Sequence, residues 1–197
     1  MSIFHIDPLQ IIEALGYLGI FLIIFAESGV FIGFFLPGDS LLLTAGLLAT
    51  QGTLSIWLLL VIVPIAAILG DTVGYSFGRY IGPRLFTKED SFFFNKNHIQ
   101  RSREFYEKYG PRAILLARFM PIIRTFVPII AGVGQMKYPK FVAYNAVGGF
   151  LWADLFLLAG FFLGRAIPDL ENYILPIVVV VIVVSFIPIV LEWRKSK

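Results

Sequence analysis

The stretch AILLARFMPIIRTFVPIIAGVGQM, Ala113 to Met136, is apolar enough to enter a bilayer, yet it is interrupted as an ordinary span is not. Arg118 and Arg124 stand within it among Pro121, Pro128 and Gly132. A charged side chain at mid-bilayer costs about 2.5–3.5 kcal/mol on insertion scales, so such residues normally line a protein interior or a pathway. Helix-breaking residues at that depth are tolerated only where the backbone lines a cavity or packs on protein. A second broken stretch, Leu15 to Ala49, carries the opposite sign: Glu27 and Asp39 flank Pro37-Gly38. Acids in one broken segment and arginines in another imply a polar site inside a membrane, which is the pattern of a transporter.

Composition agrees. Hydrophobic residues make up 58% of the 197, mean hydropathy is +0.83 and only 15% of residues are charged. Soluble domains carry about 25% charge, so the chain reads as an all-α polytopic membrane protein. With no cysteine, neither disulfides nor thiolate metal sites are available. No cofactor, metal or nucleic acid partner is expected. The first residues lack a basic n-region and include Asp7 and Glu13, which argues against a cleaved signal peptide.

Charge placement sets the expected topology. The first 78 residues contain no Lys or Arg. Residues 79–112 then hold Arg79, Arg84, Lys88, Lys96, Arg101, Arg103, Lys108 and Arg112 against Glu89, Asp90, Glu104 and Glu107, a balance of +4. Positive residues in short loops mark the cytoplasmic side. The C-terminal Arg194-Lys195-Ser196-Lys197 is also basic and is expected inside, whereas the Arg165–Asn172 loop is the candidate for outside. Three plain spans are readable, 54–78, 141–164 and 173–193, each close to the ~20 residues a crossing needs. If 113–136 also crossed, Lys137, Lys140 and the basic C-terminus would lie outside. If it enters and leaves from the inside, every basic cluster lands inside. The same logic makes 15–49 a re-entrant hairpin from the outside, although Leu15–Leu36 is long enough to be an ordinary span.

The expected organisation is one membrane domain, 1–197, built as two repeats in opposite orientation. The first, 15–78, joins hairpin 15–49 to span 54–78. A basic cytoplasmic loop with an amphipathic helix, 79–112, leads to the second, 113–164, which joins hairpin 113–136 to span 141–164. Span 173–193 follows. Ala45-Gly46 and Gly78-Arg79 recur as Ala131-Gly132 and Gly164-Arg165, both at an offset of 86. Inverted repeats with broken helices near the midplane are a common transporter plan.

The motifs resemble the DedA (VTT-domain) membrane proteins. One run is Glu27, then Phe35-Leu36-Pro37-Gly38-Asp39-Ser40, then Gly70-Asp71, Gly74-Tyr75, Gly78-Arg79 and Gly82. The other is Tyr109-Gly110, Ala117-Arg118-Phe119, Pro121, Arg124, Pro128, Ala131-Gly132, Met136, Phe141, Asn145, Gly148 and Trp152. The resemblance covers about residues 15–165 and implies bacterial inner-membrane lipid transporters with two facing re-entrant hairpins. It links them to recycling undecaprenyl phosphate or moving phospholipids such as phosphatidylethanolamine, and to proton-dependent membrane homeostasis. It assigns functional roles to Glu27, Asp39, Arg118 and Arg124.

The residues can also be read chemically. Arg presents a planar fork of donors that matches a phosphate. Arg118 and Arg124 lie six apart and would diverge by about 240° on one continuous helix. A break at Pro121 would let both converge on one anion, with free backbone N–H groups at a half-helix start helping. The competing role is neutralisation of Glu27 and Asp39 in a buried network. For those acids, burial favours the neutral carboxyl and a nearby arginine the charged one, a balance suited to proton exchange. Asp39 has a competing use as cap of the helix from Ser40 onward, whereas Glu27 has no such use.

Gly70, Gly74 and Gly78 form a smooth ridge suited to close helix packing. Asp71 and Arg79 stand at or near the ends of their span, Arg79 placed to snorkel to the inner interface. Asp154, near the middle of its span, is a candidate proton relay or partner for a buried arginine. Asn145 and Trp152 read as packing or hydrogen-bonding between helices. His98–Tyr109, closed by Gly110, reads as a surface helix with Phe105, Tyr106 and Tyr109 toward the membrane. His98 and His5 read as solvated.

Three functions fit: a proton-coupled translocase of an anionic lipid, a proton-coupled ion or small-solute transporter, and a membrane-embedded lipid phosphatase. Against the last, the second hairpin offers no Ser, His or Cys nucleophile, and only Ser28, Ser40, Thr44 and Thr125 supply nearby hydroxyls. No enzyme activity and no catalytic residue is expected. The partners are membrane lipids and protons, and a homo-oligomer is compatible with this reading.

Overall fold

A computed structural model describes residues 8–29, 38–85 and 96–166, and among these every regular element is helical. The helices are α1 (Pro8–Gly29), α2 (Gly38–Ala49), α3 (Ile56–Leu85), α4 (Lys96–Tyr109), α5 (Ala113–Ala117), α6 (Pro121–Val133) and α7 (Tyr138–Ala166), with a 3-10 turn at Gly110–Arg112. The expected span 173–193, His5, Pro37 and the basic C-terminus lie outside the described residues, as does the side chain of His98.

Among the described residues two helices, Ile56–Tyr80 and Tyr138–Ala166, are long and apolar enough to cross a membrane. Each overruns the span read from sequence: α3 continues past Gly78 to Leu85, and α7 begins at Tyr138. Along α3 the exposed apolar side chains include Trp57, Val61, Ile65, Leu69 and Val73, recurring every four residues. Val147, Leu151 and Leu155 form the same kind of stripe on α7. So large an apolar surface facing outward fits lipid rather than water. The chain is a helical membrane protein.

The remaining apolar helices differ in reach. At 1.5 Å per residue α1 is about 33 Å long, whereas α2 and α6 reach only about 18–20 Å against a hydrocarbon core of about 30 Å. The arginine-bearing stretch is broken where Arg118 ends α5. Met120 then adopts an extended conformation, φ −123° and ψ 101°, and Pro121 opens α6 as its first residue. Proline suits that position because its missing N–H would have no helical partner there.

The helices pack in an exchanged pattern. α2 lies on α7, and α6 lies on α3. Glycines make both crossings backbone to backbone. A Cβ on Gly46 would come within 2.1 Å of the Leu157 carbonyl oxygen, and one on Gly132 within 2.1 Å of the Tyr75 carbonyl oxygen. Gly160 faces the Leu43 carbonyl oxygen at 2.0 Å in the same way, and Gly78 faces that of Ile129 at 2.1 Å. Leu43 and Ile129, like Gly46 and Gly132, are 86 residues apart, but Gly78 and Gly160, like Tyr75 and Leu157, are 82 apart. The offset of 86 expected for Gly78-Arg79 is therefore one helical turn too long. From Gly46 to Gly78 the chain advances 32 residues and from Gly132 to Gly160 only 28, so the path from short to long helix is four residues shorter in the second half. Gly70 extends the ridge of α3, seating α1 at Phe25 and Gly29.

Two apolar clusters leave a polar layer between them. One joins Ile24, Leu42, Leu59, Val63, Ala67, Trp152 and Leu157. The other joins Tyr75, Ala113, Ile114, Val127, Ala131, Met136 and Phe141. On α3 the clusters meet on either side of Asp71. α4 packs against α6, and its aromatics depart from expectation. Phe105 and Tyr106 turn inward onto the second cluster, leaving Tyr109 the exposed member. Tyr106 lies beside Gly134, just after α6, its Cε1 3.9 Å from where a Cβ would stand.

Candidate functional site

The polar layer holds two arginine-centred networks. In one, Arg124 on α6 reaches both acids of the first broken segment. Its Nη1 donates to Asp39 Oδ1 at 2.9 Å, and its Nη2 donates to Glu27 Oε1. Each acid has a second donor. Trp152 Nε1 on α7 donates to the same Asp39 Oδ1 at 2.9 Å, and the backbone N–H of Gly38 donates to Glu27 Oε1 at 3.2 Å. Glu27, on the last turn of α1, is therefore held at the N-terminus of α2, where unpaired N–H groups and the helix dipole favour an anion, and Asp39 stands in the first turn of the same helix. The sequence reading gave a capping use to Asp39 and none to Glu27; the Gly38 contact adds Glu27 to that terminus. The carboxylate lies so close over Gly38 that a Cβ there would be 1.5 Å from Glu27 Oε2. The Arg124 guanidinium also lies 5.3 Å from the centre of the Trp152 ring, within cation–π range.

In the other network, Arg118 Nη2 donates to Asp71 Oδ2 and to Asn145 Oδ1. Asn145 Nδ2 donates in turn to the Ile68 carbonyl oxygen at 3.0 Å, tying α7 to α3. All three side chains are buried. Gly148 gives Arg118 room to lie along α7, since a Cβ there would be 3.0 Å from Arg118 Cδ. Asp71 is thus a mid-helix residue rather than a span end, because α3 runs 14 residues beyond it to Leu85.

Between the networks lies a cavity of about 10 Å³, the room of a single water, lined by Ser28, Asp71, Arg118, Arg124 and Trp152. The break over Arg118–Met120 lets both arginines face it although they sit six residues apart. The sequence had grouped both arginines with Glu27 and Asp39; Asp71 and Asn145 instead belong to Arg118. Arg79 is exposed and donates to the Tyr75 hydroxyl at 2.8 Å, while that hydroxyl donates to the Met136 carbonyl. Asp154 is hydrogen-bonded to neither arginine, and its Oδ1 has no hydrogen-bond partner among the described residues. Two residues beyond Trp152, it is turned about 200° away around α7. Trp152, which the sequence reading gave to packing or hydrogen-bonding between helices, joins the site through its hydrogen bond to Asp39. No group of three His, Cys, Asp or Glu side chains among the described residues is placed to hold a metal ion.

Residues 36–162, which span most of both networks, match the family described as the VTT domain. The chain is 43% identical over 202 aligned residues to Protein DedA of Escherichia coli strain K12, covering 99% of this chain and 92% of that protein. The chain belongs to the DedA family. An uncharacterised membrane protein of Mycobacterium leprae is 44% identical over 89% of this chain and 78% of its own length. The inner membrane protein YqjA of E. coli strain K12 is 31% identical over 91% and 85%. No solved structure matches the chain. Glu27 lies just outside the matched VTT segment, yet it joins the family segment's Asp39 on one arginine.

Proposed function

We propose that this DedA-family protein moves a lipid bearing an anionic phosphate group across a bacterial inner membrane, with undecaprenyl phosphate as the leading substrate and the zwitterionic phosphatidylethanolamine as the runner-up. The observation that supports this reading is the pair of arginines facing one small cavity in a helical membrane protein, Arg118 paired with Asp71 and Arg124 with Glu27 and Asp39. A phosphate has the charge and the oxygens to take over those guanidinium groups, while its hydrocarbon tail stays among the exposed apolar stripes. In this reading α2 and α6 are the returning limbs of two re-entrant hairpins, and the basic clusters and C-terminus face the cytoplasm. Protonation of Glu27 or Asp39 releases Arg124 to the phosphate, which couples translocation to a proton gradient.

Reconstitution in liposomes tests it. Movement of labelled undecaprenyl phosphate and phosphatidylethanolamine would be followed with and without a pH gradient, alongside an Arg118→Ala/Arg124→Ala control. Arginine-dependent movement of either lipid is expected. Equal movement in wild type and control would refute lipid translocation by this site.

A further inference from the structure

The two arginines are not equivalent. Every acid bound to Arg124 has another donor in place: Trp152 Nε1 for Asp39, the Gly38 N–H at the start of α2 for Glu27. Asp71 has Arg118 alone among the described residues. Removing Arg124 from its partners leaves each carboxylate with one hydrogen bond. Removing Arg118 strands a buried charge, which is strongly unfavourable. Exposure separates the two arginines and sets Asp39 apart: the Arg124 side chain is 15% exposed and that of Asp39 37%, against 5% for Arg118 and 7% for Asp71, while Glu27, at 1%, is the most buried of the three acids. The cavity has room for about one water, so a phosphate can be seated only if a charge pair first opens.

We propose that Arg124 is the transferable guanidinium of this site, and that Trp152 is a positioning residue that keeps Asp39 hydrogen-bonded while Arg124 passes to a phosphate. Arg118 stays fixed on Asp71 and Asn145 and presents the stationary wall of the same cavity. The inference rests on the anion-binding reading above and adds the order in which its contacts are exchanged. Trp152 suits the task because its indole N–H is a donor only, and so cannot compete for Arg124. Its ring face also steadies the cation over part of its movement. The recognised chemistry is a phosphate, carried either on a lipid or free in solution.

A double-mutant cycle tests the inference on purified full-length protein in detergent. Binding of dioctanoyl phosphatidic acid and of inorganic phosphate would be measured for wild type, Trp152→Phe, Asp39→Asn and the double variant. Without the indole donor, Asp39 keeps Arg124 to itself. Trp152→Phe should therefore weaken binding about tenfold, the scale of one hydrogen bond to a charged group. In the Asp39→Asn background there is no carboxylate to leave stranded, and Trp152→Phe should change nothing further. An equal loss in both backgrounds would show Trp152 to be mere packing and overturn the inference while leaving the anion site standing. Binding of neither probe to wild type would overturn the anion site and this inference with it. Binding of phosphatidic acid alone identifies a lipid headgroup as the source, and binding of both a bare phosphate subsite; either supports the transfer.

A second readout is independent of how well Trp152→Phe folds. In a Trp57→Phe/Trp193→Phe protein the sole indole is Trp152, and departure of Arg124 from its face should change its emission on saturation with phosphatidic acid. Unchanged emission at saturation would overturn the transfer.

Discussion

Arg118 and Asp71 meet near the middle of α3 with less than a tenth of either side chain exposed. Asp71→Ala should therefore cost about 3–5 kcal/mol, the penalty of a buried charge left without its partner, and lower the thermal midpoint in detergent. Replacing both members by apolar residues should be milder than replacing either. If Asp71→Ala alone melts like wild type, the pair is not closed in solution. At Gly38 even the smallest side chain collides with Glu27 Oε2. Gly38→Ala should leave a folded protein and reduce lipid movement by at least about tenfold, since it removes a carboxylate hydrogen bond worth about 1.5–3 kcal/mol; undiminished transport would detach Glu27 from the mechanism. The sequence showed that acids and arginines would meet, because unpaired charge is not tolerated at that depth. Which acid meets which arginine was not legible, since it depends on how α3 and α7 rotate against the break at Arg118–Met120. Trp152 was legible only as packing or hydrogen bonding between helices, and the acceptor its N–H meets depends on the same rotation of α7.

The glycines divide sharply between those that set a helix crossing and those that do not. Gly46, Gly132, Gly78 and Gly160 each face a carbonyl oxygen at 2.0–2.1 Å from where a Cβ would stand. Alanine at Gly132 should force α6 off α3 and lower the thermal midpoint sharply, and alanine at Gly46 should do the same to α2 on α7. Gly74 has only side-chain neighbours, Ile129 Cγ1 at 3.6 Å and Pro128 Cβ at 3.8 Å, and Gly19 has nothing within 4 Å. Alanine at Gly74 should be tolerated, and at Gly19 should be neutral or stabilising by about 0.5–1 kcal/mol. A uniform response across all four variants would contradict the exchanged packing. Periodicity revealed the long helices because an apolar run of that length has few alternatives. It misplaced their ends by several residues, since Arg79 and Tyr80 continue the helix as comfortably as apolar residues do. The faint repeat in Ala45-Gly46 and Ala131-Gly132 reflected a real equivalence, whereas Gly164-Arg165 matched by letters rather than by place.

At the scale of the molecule, two apolar clusters enclose one layer of charge, buried at Arg118 and Asp71 and partly exposed at Asp39. Sidedness can be tested directly because the chain has no cysteine to interfere. A membrane-impermeant maleimide should label Lys137→Cys and Ser196→Cys only from the cytoplasmic face, and Asp169→Cys only from outside. Labelling of Lys137→Cys from outside would mean that 113–136 crosses. The exchanged packing also bears on how the chain is made. Glu27 waits for a partner 97 residues further on, and Asp71 for one 47 residues further on. At about 5–20 residues synthesised per second, Glu27 stays unmatched for about 5–20 s of translation. During that interval the nascent first half is an acidic fragment without a single Lys or Arg before residue 79. Its short helix α2 also has no α7 to lie on. A ribosome that stalls between the codons for Gly38 and Arg124 thus leaves an orphan, recognisable to membrane proteases by the charge it cannot hide.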